Sequence, residues 1–389
     1  MDRRNVVSVS WGDHLVFGDG VGRLATPDDL SRRMDAWRDE LGADSMHWRE
    51  NASYEHAGRL HVGRGHETRI ERDNRVDWDE LGVSSERAWA AGVKPWVYVT
   101  PLSEGWPLAP ARARAISHHN EWHGRDVAWQ SNFSRAHPEY AEIDRSGTVR
   151  QWGVLSLAYP EVRAFHRERF LRHLDGRRFE GMFVCLRSES KPAEHADQFG
   201  FGEPVRADFQ RLHGRDIARQ DFDVQAWRDL RGGYLTLFFR ELKAELATRG
   251  VKLGVGCARG DVIGPPFGNM TLDWRGWVRE GIVDRLVIDQ DSSHCPSLWI
   301  RLWPMHNGCG YLQDYLENLG LPPLESHIRD VYAPVVSGSS TQLFVARQWR
   351  ERDPAEEERL LAIPGLSGLV FGSYRFDNPA AVARGDWRA

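Results

Sequence analysis

Short apolar, β-branched runs recur along the whole chain. They predict strands over 5–10 (NVVSVS), 44–49 (DSMHWR), 94–99 (KPWVYV), 181–186 (GMFVCL), 252–257 (KLGVGC), 284–289 (DRLVID), 342–346 (QLFVA) and 368–372 (GLVFG). The runs are mostly unbroken rather than alternating, which suits parallel strands buried on both faces. Helical periodicity fills the intervals and predicts helices over 27–41, 84–91, 160–174, 224–248, 274–279 and 354–362. In the first of these, Leu30, Met34, Trp37 and Leu41 share one face. Thr26 stands at its N-cap, with Pro27 in the first helical position. Over 224–248 the period is carried by Trp227, Leu230, Tyr234, Leu237 and Leu242.

The punctuation is asymmetric. Most helices stop at a glycine just before the next strand: Gly42, Gly92, Gly176, Gly250 and Gly281. Connections from strand to helix are long, over roughly 50–78, 100–159, 187–223, 258–272 and 290–341. Eight β/α units with short returns at one end and long loops at the other predict a (β/α)8 TIM barrel, α/β in class, with long βα loops. The chain then reads as a single barrel domain over 1–389, with insertions at about 100–159, 187–223 and 290–341. A doubly wound open sheet is the competing architecture. It calls for a glycine-rich first turn, where this chain has Ser10-Trp11-Gly12-Asp13-His14.

Composition narrows the partners. Among 389 residues, 51 are basic and 56 acidic, a net charge of −5, which argues against a surface built for nucleic acid or anionic lipid. No apolar run approaches the ~20 residues of a membrane span. The opening Met1-Asp2-Arg3-Arg4-Asn5 lacks a secretory apolar region, so a cytoplasmic location is expected. Four scattered cysteines do not make a disulfide scaffold. Seventeen tryptophans are many, and tryptophan stacks well on flat apolar faces such as those of sugar rings.

In a barrel the strand C-termini converge on one mouth. The residues there are polar: Trp11 after strand one, His47, Arg49 and Glu50 at strand two, Arg187 and Glu189 after strand four. Strand five leads to Arg259 and Asp261, strand six to Asp289 and Gln290, and strand seven to Arg347, Gln348 and Trp349. Gln130 and Asn132 lie in the long third loop. Carboxylates and amides bind hydroxyls, and a carboxyl pair can cleave a glycosidic bond when about 5–5.5 Å apart (retention) or ~6.5–9.5 Å apart (inversion). Adjacent strands lie about 4.8 Å apart, so Glu189 with Asp261 or with Asp289 meets either requirement. These three are the expected catalytic acids. A rim ion pair with Arg187 is the competing role for Glu189, loop capping for Asp289, and a plain turn for Asp261. The arginines Arg49, Arg187, Arg259, Arg347 and Arg375 hint at an anionic sugar.

Other chemistries fit less well. His119 and His123 have the i, i+4 spacing of a helical metal pair, but no third ligand is apparent, so no metal or other cofactor is expected. A Ser/His/Asp hydrolase lacks its Gly-x-Ser-x-Gly turn.

Several stretches resemble a known family. His137-Pro138-Glu139-Tyr140, Asp144-Arg145-x-Gly147, Leu155-Ser156-Leu157 and Tyr159-Pro160-Glu161-Val162-Arg163, leading into Glu180-Gly181-Met182-Phe183, resemble bacterial family-10-like glycoside-hydrolase barrels related to the α-amylase superfamily. The resemblance implies a carbohydrate-active barrel. Arg187-x-Glu189 is similar to the Arg-x-Asp of the amylase nucleophile strand, with Glu in place of Asp. After strand seven Arg347-Gln348 stands where that family has a His-Asp pair. The expectation is a glycoside hydrolase acting on an oligo- or polysaccharide. A non-catalytic carbohydrate-binding barrel and a metal-dependent hydrolase or lyase are the alternatives, and oligomeric state is left open.

Overall fold

A computed structural model describes residues 4–9, 26–50, 78–102, 104, 131–186, 195, 197–262, 270–288, 322–348 and 353–372. In chain order the elements are β1 (Asn5–Val9), α1 (Pro27–Leu41), β2 (Ala43–Arg49), α2 (Glu80–Ala90), β3 (Lys94–Val99) and α3 (Asn132–Ala136). A hairpin follows, β4 (Ala141–Ile143) and β5 (Arg150–Leu155), then α4 (Pro160–Arg172), β6 (Gly181–Cys185), α5 (Glu203–His213) and α6 (Val224–Thr248). The rest comprises β7 (Lys252–Gly256), α7 (Trp274–Arg279), β8 (Arg285–Ile288) and α8 (Leu324–His327). A π-helical turn (Ile328–Tyr332) joins α8 to α9 (Ala333–Val336), and β9 (Gln342–Gln348), α10 (Pro354–Leu361) and β10 (Leu366–Gly372) complete the chain.

The eight expected strands close into one parallel barrel, in the order β1-β10-β9-β8-β7-β6-β3-β2. The fold is the (β/α)8 barrel that the strand and loop pattern predicts. The hairpin β4–β5 is antiparallel and stands outside the barrel. It lies in a stretch expected only as loop.

Local signals act where the sequence places them. Thr26 and Asp29 form a reciprocal capping box, Asp29 N–H donating to Thr26 Oγ1 at 3.1 Å and Thr26 N–H to Asp29 Oδ2 at 3.0 Å. Leu30, Met34, Trp37 and Leu41 are all buried. The five helix-stop glycines have φ between 62° and 76°, a region a side chain enters only with strain. Helix α6 departs from its expected face. Leu237 is 36% exposed, while Leu235, Phe238, Phe239, Leu242 and Leu246 pack on the barrel. Trp227 and Leu230 instead join a satellite cluster with Phe201, Val205 and Phe209, and Tyr234 packs against both. A 25-residue helix outruns the barrel wall, so its first turns bury a different stripe against α5.

The core has two layers. Between sheet and helices lie Val7, Val9, Met46, Trp48, Val97 and Val99 among many others. The barrel lumen holds Val6, Trp96, Tyr98, Phe183, Cys185, Val287, Phe344, Ala346 and Val370. Trp96 is the large filler, and its neighbours make room for it. A Cβ on Gly181 would lie 2.3 Å from the Trp96 ring, and one on Gly254 3.1 Å from it. Gly181→Ala is therefore expected to lower stability by ~1–3 kcal/mol through overpacking. Urea denaturation should show a reduced midpoint at unchanged m, and Gly181→Ala combined with Trp96→Leu should recover part of the loss.

Candidate active site at the barrel mouth

Alternation along each strand decides what reaches the mouth. On β2, His47 stacks on Phe183 in the lumen at 3.9 Å, while Met46 and Trp48 belong to the outer layer. Arg49 shares the parity of His47. Its guanidinium lies 5.6 Å from the ring centre of Tyr98, which packs edge-on against Phe183 at 5.3 Å. Arg49, Tyr98, Cys185 and Ala346, all at the C-terminal ends of their strands, form the described floor of the mouth.

Three expected binding residues stand elsewhere. His47 is fully buried below the floor, accepting a 3.0 Å bond at Nε2 from Arg285. Glu50 has outward parity and is fully buried between barrel and helices, with Arg169 of α4 at 3.7 Å and His173 bonded to it. Arg347 likewise faces outward, where it pairs with Glu356 of α10. For Glu50 and Arg347 register overrides nearness to the strand end, because one step along a strand exchanges mouth for wall; His47 keeps the inward parity and lies deeper in the lumen.

Arg259 is buried and donates to the Pro322 carbonyl at 2.6 Å. Asp261 follows it in a turn, its side chain 61% exposed, accepting from Trp274 Nε1 at 2.9 Å and from Arg275. That carboxylate anchors the start of α7. Asn132 is the first residue of α3 and Gln348 the last of β9. Trp11, Gln130, Arg187, Glu189, Asp289, Gln290 and Trp349 lie outside the described residues, as do His119, His123 and Arg375.

Beneath the third loop the structure assembles a buried polar network that no sequence spacing announces. Arg169 bridges Glu50 and Glu104 and donates to the Thr100 carbonyl at 2.9 Å. Burial opposes ionisation of Glu50, yet Arg169 and His173 outweigh it and hold its pKa at about 2, against an ordinary 4.5. Burial pushes Glu104 the other way, above the usual carboxylate range, although Arg169 and Ser131 pull it down. His166, one turn before Arg169, is buried without a hydrogen-bond partner, and burial depresses its pKa well below 6.5. Tyr332, at the end of the π-helical turn, is a further support. It stacks on Trp274 at 4.3 Å, and its hydroxyl accepts from the Gly260 N–H at 2.7 Å, fixing the loop after β7.

The motifs of the family resemblance prove to be scaffold. Asp144 accepts from Thr148 N–H at 2.9 Å and Val149 N–H at 2.8 Å, closing the β4–β5 turn with Gly147 at φ 76°. Arg163 donates to the Leu157 carbonyl at 2.7 Å and to Glu241 of α6 at 3.2 Å.

The fold is thus a (β/α)8 barrel. No protein-family model matches the chain, and no curated protein does. Solved structures do. The catalytic domain of β-amylase from Paenibacillus polymyxa is similar with a TM-score of 0.53 at 10% identity, over 95% of this chain and 92% of that one. The PgaB (BpsB) glycoside hydrolase domain from Bordetella bronchiseptica gives 0.53 at 13% identity, over 100% and 99%. A β-galactosidase from the psychrophilic Marinomonas ef1 gives 0.51 at 12% identity, over 95% of this chain and 54% of its own. At these identities the likeness establishes the shared barrel fold.

Glu50→Gln is expected to destabilise the fold by ~3 kcal/mol, since it leaves Arg169 buried with less compensation. The folded-state pKa of Glu50 lies below its unfolded value, so its contribution is complete above about 4.5 and drains as pH falls toward about 2. The gap between wild type and variant in urea melts should therefore be constant from pH 7 to 5 and narrow at lower pH.

Proposed function

We propose that the chain is a glycoside hydrolase acting on an oligo- or polysaccharide, with paired carboxyls at the C-terminal mouth of the barrel. The observation that carries this reading is the closed parallel barrel with Arg49 and Tyr98 at the C-terminal ends of adjacent strands. Its likeness to barrels that are themselves glycoside hydrolases supports the same reading.

Among the three candidate acids, Glu189 and Asp289 are preferred. In the sequence each follows an apolar run that forms a barrel strand, β8 for Asp289 and β6 for Glu189. Asp261 ranks third because its carboxylate already serves Trp274 and Arg275. One of the preferred pair would act as general acid, the other as nucleophile or base. Arg49 remains the described cation at the floor, so preference for an anionic unit rests on it. A carbohydrate-binding barrel without turnover is the second reading. The outward turn of Arg347 favours it, because among the described residues no carboxylate stands at the C-terminal end of β9.

Glu189→Gln and Asp289→Asn should each reduce turnover of the responsive aryl glycoside or oligosaccharide by about 10²–10⁴-fold. Unchanged turnover in both would remove these residues from the mechanism. Calorimetric binding of a glycan by the wild type, with no product formed, would select the binding barrel.

A further inference from the structure

The hairpin β4–β5 meets helix α6 across a buried polar gap. Glu142 of β4 and Arg231 of α6 are 8% and 4% exposed, and Arg231 Nη2 stands 3.9 Å from Glu142 Oε1. That separation is too long for a hydrogen bond. Packing holds both sides of the gap. The Arg231 guanidinium lies over the Trp227 ring, 4.8 Å from its centre, and so close to Gly200 that a Cβ there would fall 2.3 Å from Arg231 Nε. Glu142 is fixed by its register opposite Gln151, and its carboxylate accepts from the Ser156 hydroxyl. The other carboxylate oxygen, Oε2, is buried without a hydrogen-bond partner. Such an oxygen is costly, and buried polar groups are ordinarily satisfied.

The same residues border a cavity of about 20 Å³. Glu142, Ser156 and Arg231 supply its polar wall, and Leu102, Val154 and Met270 belong to its apolar wall. Roughly 10–15 Å³ is enough for one water when two to four polar groups face it. The volume excludes a sugar or any other organic ligand. The charges select against an ion, since an anion would meet the carboxylate and a cation the guanidinium. A neutral molecule that both donates and accepts suits the pair: it donates to the carboxylate and accepts from arginine, which can only donate. Polar groups just beyond hydrogen-bond reach, with space beside them, have the geometry that a bridging water closes.

We propose that this cavity is a binding site for a single structural water, which bridges Glu142 to Arg231 and so docks the β4–β5 hairpin on α6. The site is independent of the proposed hydrolysis at the mouth and does not rest on it. The test uses crystals of the whole chain as wild type, Glu142→Gln and Glu142→Leu. The wild type should show a density peak within about 3.2 Å of both a Glu142 oxygen and an Arg231 nitrogen. Glu142→Gln keeps an acceptor and should retain the peak, whereas Glu142→Leu should lose it. Docking has its own readout in amide exchange. The Gly200 and Phe201 N–H groups donate to the Ile143 carbonyl of the hairpin, and their exchange should quicken about tenfold in Glu142→Leu and less in Glu142→Gln. Should the variants fail to fold, the wild-type map carries the decision. A cavity without a peak, a direct Glu142–Arg231 bond in its place, or a peak that persists in Glu142→Leu overturns the bridge. Exchange at Gly200 and Phe201 that is equal in wild type and Glu142→Leu overturns its docking role.

Discussion

Eight parallel strands close on themselves only around a lumen that is filled without strain. Here that condition rests on Trp96. Its indole spans the barrel where β6 and β7 present glycines; the Gly181 backbone approaches it more closely than a side chain would permit, and a Cβ on Gly254 would stand in tight contact with it. Phe183, Tyr98 and Phe344 complete the filling. The same packing fixes the tilt of His47 against Phe183 and the stacking of Arg285 on Trp96. The lumen is therefore apolar in bulk yet contains a charged group near its base, an arrangement that hydrophobic filling alone does not produce.

Closure also makes strand parity binding. In an open sheet both faces can meet helices or solvent. In the barrel one face meets the lumen and the mouth, and the other meets the helical shell. Arg49 and Glu50 are neighbours in sequence, yet one stands at the floor of the mouth and the other inside the wall. The wall position gives Glu50 a structural task. With Arg169, His173 and Glu104 it ties α4 to the segment that leaves β3. The network thereby fixes the path of the chain as it leaves β3. Arg347 repeats the pattern on β9, where it holds α10 through Glu356.

The stretches that resemble carbohydrate-active barrels belong to the same supporting tissue. The turn closed by Asp144, the clamp of Arg163 onto α6 and the stacked rings of Phe133, His137 and Tyr140 shape the β4–β5 insertion and dock it against α4. Such motifs report how a loop is folded. The chemistry depends on side chains at the strand ends, and scaffold motifs do not identify those.

The eight strands, the barrel class and most helix limits were legible in the sequence, because they follow from local causes: unbroken apolar runs, helical period, caps and left-handed glycines. Thr26, Gly42 and the face of Leu30, Met34, Trp37 and Leu41 needed no tertiary information. The candidate site was legible only as a list of strand-end residues. Which of them turn inward depends on register between strands far apart in the chain, and that is why Glu50 and Arg347 stand in the wall, while His47 turns inward below the floor. Contacts such as Arg169 with Glu104, 65 residues apart, or Arg285 with His47, 238 apart, have no sequence signature. They exist because a closed cylinder brings distant segments into one small volume, where burial makes every unpaired charge and donor consequential.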